Sequence, residues 1–366
     1  MGRLRNFMFG LFMSFVPLPG AVAQDTGASF YAGRTIRILV GYAPGGSADG
    51  DPRVLPRSAG PLVAGAGNAF EIYAQLLARH LGRHIAGAPS VIVQNMPGAG
   101  GLTLMTYMAR GAAPDGLTLA LFNPTNSIEP LLNPVLATFD ARTFGWLGSM
   151  NREAGTCAFW ADKVQNLDDL KHQEVVLGGT GPMASSTRDA LVLKALLGLN
   201  FRLILGYPSL LDIRHPAERG EVDGFCGLLV SSLNPSARED LRNGKFRIVL
   251  QTGLEAHPSL PASIPDVFDL AVDDEARQIL RLVFAPWSFG KPVAAPPGTP
   301  PERLAVLRTA FAATLADPAF LGDAAAAGIE ISAMGPDDLS GVLATLYATP
   351  RALIERTMVI LGNHER

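Results

Sequence analysis

Three short glycine-rich runs stand where a chain can hold an anion with its backbone alone. Pro44-Gly45-Gly46-Ser47 follows the apolar run Ile36 to Val40, Pro97-Gly98-Ala99-Gly100-Gly101 follows Ser90 to Val93, and Gly178-Gly179-Thr180-Gly181 follows Val175 to Leu177. Glycine tolerates positive φ and lets a ligand approach the backbone closely. Successive N–H groups in such turns form an anion-binding concavity, and a helix that starts there adds its unpaired N–H groups. In open α/β sheets, ligands sit beyond the carboxyl ends of strands, which is where all three runs fall. A single such run also reads as a tight turn with no ligand; several in one chain favour carboxylate binding. Around the third run, Thr180, Ser185, Ser186 and Thr187 can donate hydroxyl hydrogen bonds, or merely cap the helix that follows.

No catalytic apparatus accompanies these turns. His80 and His84 are four apart, but Leu81 stands where a zinc-protease motif needs its glutamate. There is no G-x-S-x-G elbow and no phosphate-loop lysine, and the Gly98 to Gly101 run lacks dinucleotide-turn spacing. No Cys/His cluster has metal-ligand spacing, so neither a metal nor a cofactor is expected. Glu221 and Asp223 are paired acids in a turn before a strand. They offer an α/β enzyme a catalytic pair, although solvated turn residues are the plainer reading.

The turns need a scaffold, and the chain alternates short β-branched runs with helical ones, as parallel sheets with crossover helices do. One set holds IRILV, a helical Ala69 to Ile85, SVIVQN, GLTLMTYMARGA and LTLALF. A second begins near Phe144 with GWLGSM and TCAFW and runs to KFRIVLQTG. The tail is proline-rich around Lys291 to Pro301, then helical over Glu302 to Leu315, Pro336 to Tyr347 and Arg351 to Val359. The fold class is α/β in two domains with a cleft between them. Domain 1 is discontinuous, 28–135 and 255–366, and domain 2 is 136–254. Residues 50–68, rich in Gly, Pro and Ala, form a loop insertion in domain 1; an inert insert is favoured over a lid.

At the N-terminus, Arg3 and Arg5 precede an apolar stretch, Phe7 to Leu18, and the small-x-small run Ala21-Val22-Ala23. This is the three-part pattern of a signal peptide over 1–23, so a location outside the cytoplasm is expected. Charged residues are 17% and the net charge is −3, with no basic block, so nucleic acid is not an expected partner. Cys157 and Cys226 lie in two strand-like runs; a disulfide and two buried thiols both remain open.

These residues resemble the substrate-binding receptors of the tripartite tricarboxylate transporter family, the Bug-type proteins. The resemblance rests on IRILVGYAPGGS, SVIVQNMPGAGGL, APDGLTLALF, GGTGPMASST, GYPSLLDI, ERGEVDG and APPGTPPERLAVLRTAF, from about Tyr31 to about Val359. It implies a type II periplasmic binding fold, a monomer whose two domains close on a small carboxylate. The receptor then hands the solute to the large and small subunits of a membrane permease. Carried over, the ligand positions are Pro44 to Ser47, Pro97 to Gly101 and Thr180 to Thr187, with Tyr207 and Asp223 near the cleft side or hinge. Three departures stand out. Glu71 takes the place of the family's acid after the first turn, with Asp49 as rival. Arg188 follows the serine run, where it favours an acidic ligand or is a solvated helix arginine. Third, GPMASS replaces a more glycine- and serine-rich run, where Met183 would narrow one wall or make it apolar; together with the loop inserted at 50–68, these changes leave open an occluded cleft or a degenerate receptor used as a sensor.

Overall fold

In the computed structural model, residues 30–42, 69–182, 184–207, 210–233 and 235–362 are described. The signal segment, the Pro44 to Ser47 turn, Asp49, the 50–68 insertion and Met183 lie outside them.

Chain order begins with β1 (Thr35–Val40), α1 (Ala69–Leu81), β2 (Ser90–Asn95), α2 (Leu102–Arg110), β3 (Thr118–Leu121) and β4 (Gly145–Ser149). It continues with β5 (Gly155–Trp160), β6 (Val175–Gly179), α3 (Ser185–Leu197), β7 (Phe201–Leu205), β8 (Gly224–Leu229), α4 (Pro235–Arg242) and β9 (Phe246–Thr252). The last part holds α5 (Asp274–Phe284), β10 (Pro292–Ala295), α6 (Pro301–Ala316), α7 (Pro318–Ala326), α8 (Pro336–Tyr347) and α9 (Arg351–Ile360). Helix α1 forms because Phe70, Tyr73, Leu77 and Leu81 fall at helical spacing. They pack with Ile36, Ile38 and Val40 of β1 and with Leu307 and Phe311 of α6 in the first core.

The strands make two five-stranded sheets, ordered β2-β1-β3-β10-β4 and β7-β6-β8-β5-β9. Both are mixed, against the expectation of parallel sheets. In the first, β10 runs antiparallel to β3 and β4; in the second, β5 runs antiparallel to β8 and β9. The physical reason is the path of the chain. Each reversed strand is the first to enter its sheet from the other lobe: β5 after residues 150–154, β10 after 285–291. It enters at the carboxyl ends of its neighbours and runs away from them. All other strands therefore point their carboxyl ends at the opposite lobe.

Two further findings revise the division of the chain. GWLGSM, grouped above with domain 2, supplies β4 of the first sheet. Helix α5, placed above in the returning part of domain 1, packs Ile279, Leu280 and Val283 in one cluster with Leu177 and Leu250 of the second sheet. In the second sheet Cys157 and Cys226 face each other across β5 and β8 and are joined as a disulfide. The bridge closes a sequence separation of 69 residues, worth about 4 kcal/mol in the chain-entropy account.

Candidate functional site

The first lobe presents the segments that follow β1, β2 and β3. After β2, Gly98, Ala99, Gly100 and Gly101 have φ of 143°, 48°, 62° and 98°, four successive residues in a region that costs an L side chain about 1–2 kcal/mol. The run leads into α2, and the N–H groups at the helix start close the turn itself: Gly101 N donates to Gly98 O at 2.9 Å, Leu102 N to Ala99 O and Thr103 N to Gly98 O at 3.5 Å, which leaves the peptide N–H groups of Gly98 to Gly100 for an anion. Its packing is close. A β-carbon on Gly101 would lie 2.6 Å from Asn126 Nδ2, while one on Gly100 would meet nothing within 4 Å. Asn126 Nδ2 donates to Gly100 O at 3.0 Å and pins the turn.

After β3 comes Asn123-Pro124-Thr125-Asn126-Ser127, in which Thr125, Asn126 and Ser127 are buried. Asn123 accepts from Thr125 N at 3.0 Å and donates to the Tyr42 hydroxyl at 2.7 Å. Behind Tyr42, Asn95 Nδ2 bridges Tyr42 O at 2.9 Å and Glu71 Oε2 at 2.5 Å, and Gln75 donates to Glu71 Oε1 at 2.8 Å.

The second lobe presents the segments after β6, β7 and β9. Thr187 Oγ1 donates to Gly181 O at 2.7 Å and closes the loop at the start of α3. Thr180 Oγ1 and Ser186 Oγ are buried with no hydrogen-bond partner. Asp189, one helical turn after Ser186, is 1% exposed. Neither of its carboxylate oxygens has a hydrogen-bond partner, nor has Thr252 Oγ1 at the end of β9. Burial pushes the Asp189 carboxyl up to about 7, with Arg188 pulling it partly back.

Polar contacts among the described residues tie the lobes, beside an apolar cluster that joins Ile128 and Leu132 to Leu282 of α5. Arg188 Nη1 donates to Glu129 Oε1 at 2.8 Å, with both side chains 11% exposed, while Asn133 donates to the other Glu129 oxygen. The crossing segments also bond to each other, Glu153 N to Trp287 O at 2.9 Å and Gly290 N to Asn151 O at 3.0 Å. Here Lys291 is buried over the Phe70 and Tyr73 rings, at 4.7 and 5.2 Å. Burial raises the Glu153 carboxyl and lowers the Lys291 ammonium, and each charge partly restores the other.

A sequence profile described as "Tripartite tricarboxylate transporter family receptor" matches residues 74–358. The chain belongs to this receptor family. A UPF0065 protein of Bordetella bronchiseptica (strain ATCC BAA-588 / NCTC 13252 / RB50) is 26% identical over 268 residues, covering 70% of this chain and 72% of that protein. Among solved structures, a TctC solute-binding protein from Polaromonas superposes with a TM-score of 0.63 at 17% identity, covering 89% of this chain and 99% of that one. An R. palustris protein solved with adipate gives 0.60 at 19% identity, covering 90% and 97%. These likenesses establish the two-domain fold of the periplasmic receptors.

Within that receptor fold, the expected residues fall in different places. Pro97 to Gly101, Thr180, Gly181 and Ser185 to Thr187 all lie at strand ends that face the other lobe. Tyr207 also lies there; its N–H donates to Gly179 O at 3.2 Å, and its ring packs beside the Ile213–Ala217 cluster. Glu71 is buried with both oxygens engaged by side chains of its own lobe. Arg188 meets Glu129 rather than standing as a solvated helix arginine. Asp223 is not brought to this end. It precedes β8, the central strand, so it sits at the end of the second sheet remote from the crossing segments, and its carboxylate accepts from Val176 N at 2.8 Å. Glu221 accepts from Arg219 at 2.7 Å, so both acids of the alternative catalytic pair have local partners.

Asn123 to Glu129, Asp189 and Thr252 belong to no motif in the sequence. A polar run directly after an apolar strand was a usable signal for the first. Asp189 left a fainter one, an acid three residues after Ser186 and four before Leu193, on the face that α3 buries.

Proposed function

We propose that this chain captures a small carboxylate between its lobes and delivers it to the membrane permease of a tripartite tricarboxylate-type transporter. The observation that carries the reading is the Pro97 to Gly101 turn. Its unbroken left-handed run, at a strand's carboxyl end and a helix start, has the chemistry for an oxyanion and no side chain for turnover. The Thr180 to Thr187 loop supplies hydroxyls from the other lobe, and Pro44 to Ser47 is assigned a second carboxylate contact. The adipate in the R. palustris relative agrees with a dicarboxylate-sized ligand. Residues 1–23 are assigned as a leader for export to the periplasm, where a monomer works. Glu71, Tyr207 and Asp223 are assigned supporting rather than contacting roles.

The test is the melting temperature of the purified protein, refolded to strip carried ligand, against mono-, di-, tri- and aromatic carboxylates. A ligand of the native state must raise it. We expect a rise with at least one acid; none across the panel overturns the reading.

A further inference from the structure

We propose that Asp189, Ser186 and Thr252 form a buried ammonium subsite, so that the solute is an amino acid or other amino-carboxylate. This rests on the preceding reading that the cleft takes a small acid, and narrows its class.

The geometry starts from Gly155, the first residue of β5. A β-carbon there would lie 2.5 Å from Thr252 Oγ1 and 3.7 Å from Asp189 Oδ2. Thr252 is its register partner on β9. The missing side chain thus lets Thr252 Oγ1 close onto the start of β5, with Asp189 Oδ2 beside it. Ser186 belongs to the same helix face as Asp189, since residues three apart are neighbours on a helix, and its backbone packs against Gly227 of β8. All three groups sit at the end of the second sheet that faces the first lobe.

The chemistry of the orphaned atoms then selects the ligand. Four oxygens from three side chains are buried without partners: both of Asp189, and the hydroxyls of Ser186 and Thr252. Such groups are rarely left so, because each unmade bond costs about 1–3 kcal/mol. A carboxylate only accepts, a hydroxyl can accept, and an ammonium offers three donors and a positive charge. The charged neighbour, Arg188, donates from Nη1 to Glu129 and keeps a buried Nε–H without a partner, but it makes no hydrogen bond to Asp189. A hard divalent ion fits less well: it takes six or more oxygens, usually several of them carboxylates. No group of three His, Cys, Asp or Glu suited to a metal occurs among the described residues. Burial holds the Asp189 carboxyl up at about 7 even with Arg188 pulling it back; an ammonium beside it favours the charged form.

The experiment is calorimetric titration of the purified protein and of Asp189→Asn with matched pairs: L-glutamate and glutarate, L-aspartate and succinate, 4-aminobutyrate and butyrate. The expected result is one amino acid bound about 10- to 100-fold tighter than its amine-free partner, with the ratio collapsing towards one in Asp189→Asn. A purely structural Asp189 does not move that ratio. Equal or weaker binding of the amino acid in every pair overturns the subsite and leaves the carboxylate reading standing. If no acid of either kind binds, the carboxylate reading fails, and cadaverine decides the subsite. A melting shift with cadaverine that Asp189→Asn abolishes sustains it; no shift overturns it.

Discussion

Arg188 and Glu129, 59 residues apart in sequence, meet at 2.8 Å across the two lobes. Arg188 opens onto the cleft from α3, and Glu129 ends the polar run that begins at Asn123. One charge from each side is therefore neutralised at the place where the lobes touch.

Taking one partner from a largely buried pair leaves the other charge unsolvated, which costs more than the pair contributes. Glu129→Gln is expected to destabilise the protein by about 2–4 kcal/mol. Glu129→Gln combined with Arg188→Met is expected to recover more than half of that loss. Urea unfolding of the two single variants and the double variant checks it; an additive loss in the double variant removes the ion pair from the account.

The second prediction concerns pH. Burial raises Asp189 to about 7 in the native state, against about 3.9 in an unfolded chain. Between these values the native protein keeps a proton that the unfolded chain has lost. Stability therefore falls as pH rises across the window, and the loss is complete above about pH 7. Asp189→Asn removes this loss. Without ligand, the variant is expected to exceed the parent by about 4 kcal/mol at pH 8 and by little at pH 4. A pH-independent difference in denaturant midpoints refutes the assignment.

The third prediction concerns the Pro97 to Gly101 turn. A valine at Gly100 finds room but must adopt φ near 62°, so Gly100→Val is expected to cost about 1–2 kcal/mol and stay folded. It covers the backbone to which the carboxylate is assigned, and affinity for the acid found in the melting panel is expected to fall at least about tenfold. Gly101→Ala should perturb the turn itself, since its methyl meets Asn126. Unchanged affinity in Gly100→Val by calorimetry places the carboxylate elsewhere.

The helices that pack one apolar face were legible almost to the residue. Pro336–Tyr347 appears as expected, and the helices read at Glu302 to Leu315 and Arg351 to Val359 end within a residue of those bounds. The Pro97 to Gly101 turn was legible because glycine readily takes the positive φ found at Gly98, Gly100 and Gly101, whereas Gly178, Gly179 and Gly181 keep ordinary backbone angles. Strand β10 was not. Four residues in a proline-rich stretch carry no alternation, and their place depends on a slot between β3 and β4 that sequence proximity does not reveal. Strand β4 was misgrouped for the same reason. In the site, Asp189 was hidden because a buried acid on a helix has the same letter as a solvated one. Arg188 is legible by its place after the serine run, but its partner is not, since nothing local links positions 129 and 188.

The position of β10 also governs the order of assembly. The first lobe lays down β1, β2, β3 and β4 within its first 149 residues, yet β3 and β4 are joined through a strand that arrives only at residues 292–295. Until then the sheet is a three-stranded fragment and a stray fourth strand, each with an open edge. A chain delivered from its N-terminus must therefore produce the whole second lobe before the first can close. Contacts so distant in sequence slow folding, and the half-made sheet is exposed meanwhile to edge-to-edge association. The lobe that starts first finishes last.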